Sequence, residues 1–203
     1  MAERLKVRLL VLMALLLLPA CAGRDAPDIV VVDSELATSV CRVVVVPFVD
    51  EAGDPGIGQL SSRIFSNELI NSKQFTVIPE GEVRNFLRQK KMLIPDLMET
   101  RTKVYRQLGE RLRVDAVIRG TIMNSGIDVS GREGSIPYLS IKVEMIDVKT
   151  GKLLIDTFHQ RRGDEYRKIM HIGIVRTKTG LMARVAEEII SRWRTKGVAN
   201  CLP

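Results

Sequence analysis

Histidine is nearly absent from this chain: His159 and His171 are the only two in 203 residues. With Asp164 and Glu165 they could be grouped as metal ligands. Their spacing matches no established zinc pattern, such as two histidines at i and i+4 with a glutamate between, so they read as surface histidines near a charged turn. A Gly-x-Ser-x-Gly elbow is missing. Gly53, Gly56 and Gly58 follow a strand and precede a helix, as a phosphate-binding loop does. The Walker lysine is missing too, so the segment reads as a plain loop. Cysteine is scarce, and Cys41 and Cys201 flank the folded part rather than lie in a cleft, which speaks against a nucleophile. These gaps predict that the protein is not an enzyme and carries no metal or cofactor. Aromatic residues make up 4%, too few to stack bases along a nucleic-acid groove, and no nucleic-acid partner is expected.

No apolar run is long enough to span a bilayer, which takes about 20 residues. The longest, Leu9 to Leu18, is short and uncharged. It follows a basic segment with Arg4, Lys6 and Arg8 against Glu3, and leads into Leu18-Pro19-Ala20-Cys21. A basic start, a short apolar stretch and small residues before a cut describe a secretory signal. The last four residues resemble the lipobox of bacterial lipoproteins. That resemblance implies diacylglyceryl transfer to the Cys21 thiol and cleavage after Ala20. The alternative is an ordinary cleavable signal with a chance cysteine. In the enterobacterial sorting pattern an aspartate after the cysteine retains a lipoprotein at the inner membrane. Ala22 stands here, so the resemblance implies an anchor at the periplasmic face of the outer membrane.

Removing residues 1–20 leaves enough chain for one domain. Formal charge is +7 for the whole sequence, and the mature part keeps a modest positive excess. Such an excess suits anionic partners such as phospholipid headgroups, or is simply a soluble surface. In an oxidising export compartment disulfides persist. Cys41 and Cys201 either bridge the two ends of the domain or remain separate thiols.

Residues 21–40 read as a lipidated tether, with a short strand around Ile29 to Val32, and residues 41–203 as an α/β domain. Val43 to Val46 is a β-branched run without alternation, as in a strand buried on both faces. Residues 50–58 form a loop. A helix to about Asn71 follows, with Ile57, Leu60, Ile64 and Leu69 near one face. Phe75 to Ile78 is a strand, and Glu80 to Lys90 a helix with Val83, Phe86 and Leu87 inward. Pro95 and Asp96 start another helix, with Leu97, Val104, Leu108 and Leu112 at helical spacing. Val114 to Val129 is a strand that Gly120 lets bend or bulge. Tyr138 to Val148 alternates through Leu139, Ile141, Val143 and Met145 (or Ile146 after a slip). Lys149 to Lys152 turns it into Leu153 to Gln160. Residues 161–178 are polar, with a helical turn expected near Tyr166 to Ile169. Gly180 to Arg194 is a helix with Met182, Val185, Ile189 and Trp193 as its stripe, ended by Gly197. The order β-α-β-α-α-β-β-β-α predicts a mixed sheet ending in an antiparallel hairpin and a C-terminal helix.

Val43-Val44-Val45-Val46-Pro47-Phe48, Phe75-Thr76-Val77-Ile78-Pro79, Ala116-Val117-Ile118-Arg119-Gly120-Thr121-Ile122 and Asp147-Val148-Lys149-Thr150-Gly151-Lys152-Leu153-Leu154 occur in that order. Together they resemble the periplasmic domain shared by the CsgG family, the LpoB family and the amino-terminal domain of TolB. The resemblance covers about Arg42 to Leu154. It implies an envelope lipoprotein that acts by binding other proteins and can form homo-oligomers. CsgG-like domains form rings whose extra hairpins build a secretion pore, and an LpoB-like domain activates a peptidoglycan synthase. Two pore strands need roughly 20 additional alternating residues. Gly126 to Pro137 is too short for them, and Arg161 to Lys178 is too charged. The expected role is therefore a non-pore assembly or secretion accessory factor. An activator of cell-wall synthesis is the alternative, weakened by the lack of a long tether. An envelope hydrolase is a third reading, disfavoured by the missing catalytic groups. Tyr166 with Arg162 and Arg167 is singled out for partner binding, because aromatics and arginines concentrate at hot spots; the alternative is a solvated loop.

Overall fold

A computed structural model describes residues 26–92, 101–131, 134–168 and 171–198. Cys21, Cys201, the signal segment and the expected helix start at Pro95 to Leu97 lie outside them. The strands are β1 (Asp28–Val31), β2 (Arg42–Val45), β3 (Val49–Asp50), β4 (Thr76–Ile78), β5 (Ala116–Asp128), β6 (Ile136–Asp147) and β7 (Leu153–Arg162). The helices are α1 (Ser34–Ser39), α2 (Ile57–Ser72), α3 (Glu80–Gln89), α4 (Arg101–Leu112) and α5 (Lys178–Thr195). The strands form one mixed sheet in the order β1-β7-β6-β5-β2-β4, with β3 beside β5. β2 runs parallel to β4 and β5, and the β5-β6-β7-β1 part is antiparallel.

The valine run behaves as its pattern predicts. Val43 and Val45 join the core under α2 and α5, whereas Val44 and Val46 join the core under α3 and α4. Each side chain so buried contributes about 1.5–3 kcal/mol. On the first face Trp193 is fully buried, edge-on to Phe65 at 5.8 Å and to Phe75 at 6.5 Å, and its indole N–H donates to Thr157 Oγ1 at 2.9 Å. Leu139, Ile141, Val143 and Met145 lie in this core, and the same unbroken alternation puts Ile146 in the other. The stripe of α5 is buried throughout.

The tether is shorter than expected. β1 adds as an edge strand to β7, and α1 follows with Asp33 accepting from Leu36 N–H. Residues 28–40 therefore belong to the domain: Ile29 and Val31 have an apolar surface to cover. In α2 the inward ladder is Ile57, Ser61, Phe65 and Leu69, with Leu60 exposed and Ile64 only partly buried. The helix rotates this way because Gly58 lets it sit on the Phe48 backbone, where a Cβ would meet the carbonyl oxygen at 2.3 Å. The β5 bulge falls at Ile122/Asn124 rather than at Gly120, which instead leaves room for the Phe48 ring. β7 runs on to Arg162, and the helical turn is a 3-10 turn at Gly163–Tyr166, earlier than expected.

Candidate functional site

The β5-β6-β7 ladder separates two polar constellations, one on each face. Alternation places Tyr138, Ser140, Lys142 and Glu144 of β6 on the face that α3 and α4 cover only toward β2. The register sets Arg119 opposite Glu144, Glu144 opposite Asp156, Lys142 opposite Phe158 and Val30 opposite Asp156. Arg119 Nε donates to Glu144 Oε2 at 2.6 Å, with both side chains nearly sealed from water. Lys142 Nζ lies 3.2 Å from Glu144 and 3.3 Å from Asp156. Burial alone would raise the Glu144 carboxyl, but Arg119 and then Lys142 hold it below its ordinary value. Burial would likewise lower Arg119, and Glu144, supported by Tyr105 of α4, keeps it raised. Toward β7 and β1 this face opens to solvent, with Phe158 36% and Val30 62% exposed. An open sheet face carrying both ion pairs and apolar side chains is suited to protein contact.

On the opposite face the end of β7 meets α5. His159 Nε2 is 2.5 Å from Glu188 Oε2. Arg161 reaches both Glu188 oxygens, through Nε at 2.9 Å and Nη2 at 3.1 Å, and its guanidinium lies over the Tyr166 ring at 5.5 Å. Burial opposes ionisation of Glu188, yet His159 and Arg161 hold its carboxyl below the usual range. Burial, then the Glu188 charge, pushes the Tyr166 phenol upward. An open groove of about 650 Å³ runs beside this cluster, between Ala26-Pro27 and the Arg184, Ser191 and Arg192 side of α5.

The three residues singled out for partner binding do not form one patch. Tyr166 packs partly into the core beneath Arg161. Arg162 projects to the other face, paired with Asp128 at 3.0 Å and Asp164 at 3.3 Å. Arg167 is exposed just beyond the 3-10 turn. His159, expected at the surface, is buried, and His171 is exposed. Among the described residues no group of three His, Cys, Asp or Glu is placed to hold a metal. Cys41 is in a disulfide; the chain's other two cysteines, Cys21 and Cys201, are outside the described residues.

Sequence reading missed Glu188, Arg119, Glu144, Lys142 and Asp156. A signal was present for one pair: Arg119 is the lone charge between Ala116 and Ile127, Glu144 stands among Val143, Met145 and Ile146, and antiparallel pairing sets such opposite charges face to face. Glu188 sits at the margin of a stripe whose apolar neighbours, Val185 and Ile189, drew the attention.

No family model matches the chain, and no curated protein matches it. The fold is shared with solved structures. The lipoprotein GNA1162 of Neisseria meningitidis is similar at a TM-score of 0.54 and 20% identity, over 76% of this chain and 99% of that one. PelC of Paraburkholderia phytofirmans, a dodecamer, is similar at 0.53 and 14%, over 87% of this chain and 100% of that one. LpoB of E. coli reaches 0.45 and 11%, over 70% and 73%, a likeness too slight to argue from. At these identities the comparisons establish the α/β fold and that lipoproteins are among the proteins with it. No helix of the described residues is long and apolar enough to cross a membrane.

Proposed function

We propose that this chain is a lipoprotein, acylated on Cys21 and anchored at the periplasmic face of the outer membrane. Its α/β domain works through protein contacts as a non-pore, CsgG-like accessory factor for assembly or secretion. The observation that carries the protein-contact reading is the open half of the sheet: β6, β7 and β1 leave Phe158 and Val30 exposed beside the Lys142–Glu144–Asp156 network. Apolar side chains on the solvated face of an antiparallel sheet depart from its usual polar-out alternation. The dodecamer formed by PelC makes homo-oligomerisation a natural mode for a domain of this fold.

Only residues 22–27 separate Cys21 from β1. The seven steps from Cys21 to Asp28 reach about 25 Å at most, which suits partners close to the anchoring membrane and disfavours a regulator that must cross the periplasm. If Cys21 carries lipid, Cys201 is the cysteine left to bridge Cys41. Val198, three residues before it, is buried in the same core as Val40, one residue before Cys41.

Crosslinking in membranes of the native cell, followed by capture and size analysis of the mature protein, tests the function. Envelope assembly or secretion components in the captured material, and their loss in the Phe158→Glu/Val30→Glu variant, are the expected result. Capture of peptidoglycan synthases with stimulation of their activity would replace the accessory role with the regulator. Hydrolysis of peptidoglycan by the purified protein alone would replace both.

A further inference from the structure

The shortness of the tether fixes more than reach. Ala26 and Pro27 line the groove along α5, opposite Arg184, Ser191, Arg192 and Thr195. Ala26 is five residues from Cys21, so the chain between them spans no more than about 18 Å. A domain of this length has a radius of gyration near 15 Å. A sphere with that radius of gyration has an outer radius of about 20 Å, and a leash no longer than that outer radius keeps the far side from turning to the membrane. The β4 edge and the α3–α4 layer are on that far side, because β1 and β4 are opposite edges of the sheet. The surface beside Ala26 is therefore the one held against the bilayer.

That surface is basic where α5 ends. Arg184, Arg192, Arg194 and Lys196 are all exposed. Arg194 Nη2 donates to the Ser72 carbonyl at 3.0 Å, which places the end of α2, with Lys73, beside it. The acids facing the same region are Glu187, Glu188 and Glu68. Glu188 is already held by Arg161 and hydrogen-bonded to His159, and Glu187 pairs with Arg184 at 3.0 Å. Five cations thus stand against two acids that the buried cluster does not already use. Basic groups near an anionic leaflet are attracted within a Debye length of it, about 10 Å at 0.1 M salt.

We infer that the C-terminal half of α5, with Arg184, Arg192, Arg194 and Lys196, is the membrane-facing surface of the domain and binds anionic phospholipid headgroups. The inference rests on acylation at Cys21, and the two can fail separately. The acyl groups are read by mass spectrometry of the amino-terminal peptide of the native protein. The surface is read on the full mature chain carrying Cys21→Ser, which has no lipid to insert. That chain is sedimented with vesicles of phosphatidylcholine alone and of phosphatidylcholine with 30% phosphatidylglycerol (about that fraction gives a strongly anionic surface). The expected result is binding to the anionic vesicles only, weakened by raised salt. Arg184→Glu/Arg192→Glu should weaken it at least tenfold with an unchanged melting temperature, and Arg88→Glu/Lys90→Glu at the far α3 end should leave it unchanged. Equal binding of the wild type and the α5 variant, no binding to anionic vesicles, or binding to a soluble acidic polysaccharide in place of vesicles would overturn the inference.

Discussion

The two faces of the β6–β7 ladder share strands and differ in what they carry. One is sealed by α2 and α5 around Trp193, Phe65 and Met145. The other is sealed only toward β2, and beyond Arg119 and Glu144 it ends in half-buried Lys142 and exposed Phe158 and Val30. The sealed side keeps its few charges in tight pairs because an unpaired charge there is costly. The open side leaves the apolar Phe158 and Val30 in water, a surface whose burial against a partner is favourable. Both faces contribute stability where helices cover them, and the uncovered half of the second face is the part left for contact with partners.

Substitutions separate the two. Trp193→Ala removes the largest buried side chain and its bond to Thr157. The expected cost is about 3–5 kcal/mol, read by urea unfolding. Glu144→Ala leaves the buried Arg119 guanidinium without its carboxylate. A similar loss of about 3–5 kcal/mol is expected, and a loss below about 1 kcal/mol would mean that Arg119 finds water or another partner. Reduction of the Cys41 disulfide should cost about 2–5 kcal/mol. Peptide mapping without reduction should join Cys41 to Cys201, and finding both thiols free would remove that bridge. Phe158→Glu/Val30→Glu sets each glutamate opposite an aspartate, Asp28 or Asp156, and should cost only about 0.4–2 kcal/mol while abolishing partner capture.

Acid sharpens the same contrast. The Glu144 and Glu188 carboxyls are depressed in the folded protein by their cationic partners. Their stabilisation is complete above the ordinary glutamate value of 4.5 and is lost as pH falls through the depressed folded values. Melting temperatures from pH 7 down to pH 3 should decline in the acid range. Glu144→Gln/Glu188→Gln should melt lower at pH 7 and decline less. An equal acid slope in that variant would assign the acid loss to other carboxylates.

Much of the fold was legible because its signals are local. The unbroken Val43 to Val46 run, the alternation from Leu139 to Met145, the turn at Gly151 and the stripe ending at Trp193 each report one element's own burial. α1 was not legible, and the short strand expected around Ile29 to Val32 was read as part of a tether, because so short a run joins the domain only when β7 offers an edge. The inward face of α2 was misread for a related reason: Ser61 is buried and Leu60 exposed, since Gly58 and the Phe48 carbonyl set the helix rotation. The surface was least legible. Tyr166 stood out as an aromatic among charges, yet Arg161 and Glu188, brought together from 27 residues apart, draw it inward. The open face depends on register across three strands, and no single segment contains it.

The most direct test of the account is site-specific photocrosslinking in native membranes from position 158 on the open face and from position 191 beside the α5 groove. The account predicts protein adducts from 158 and lipid adducts from 191. Protein adducts from 191 with none from 158 would contradict it.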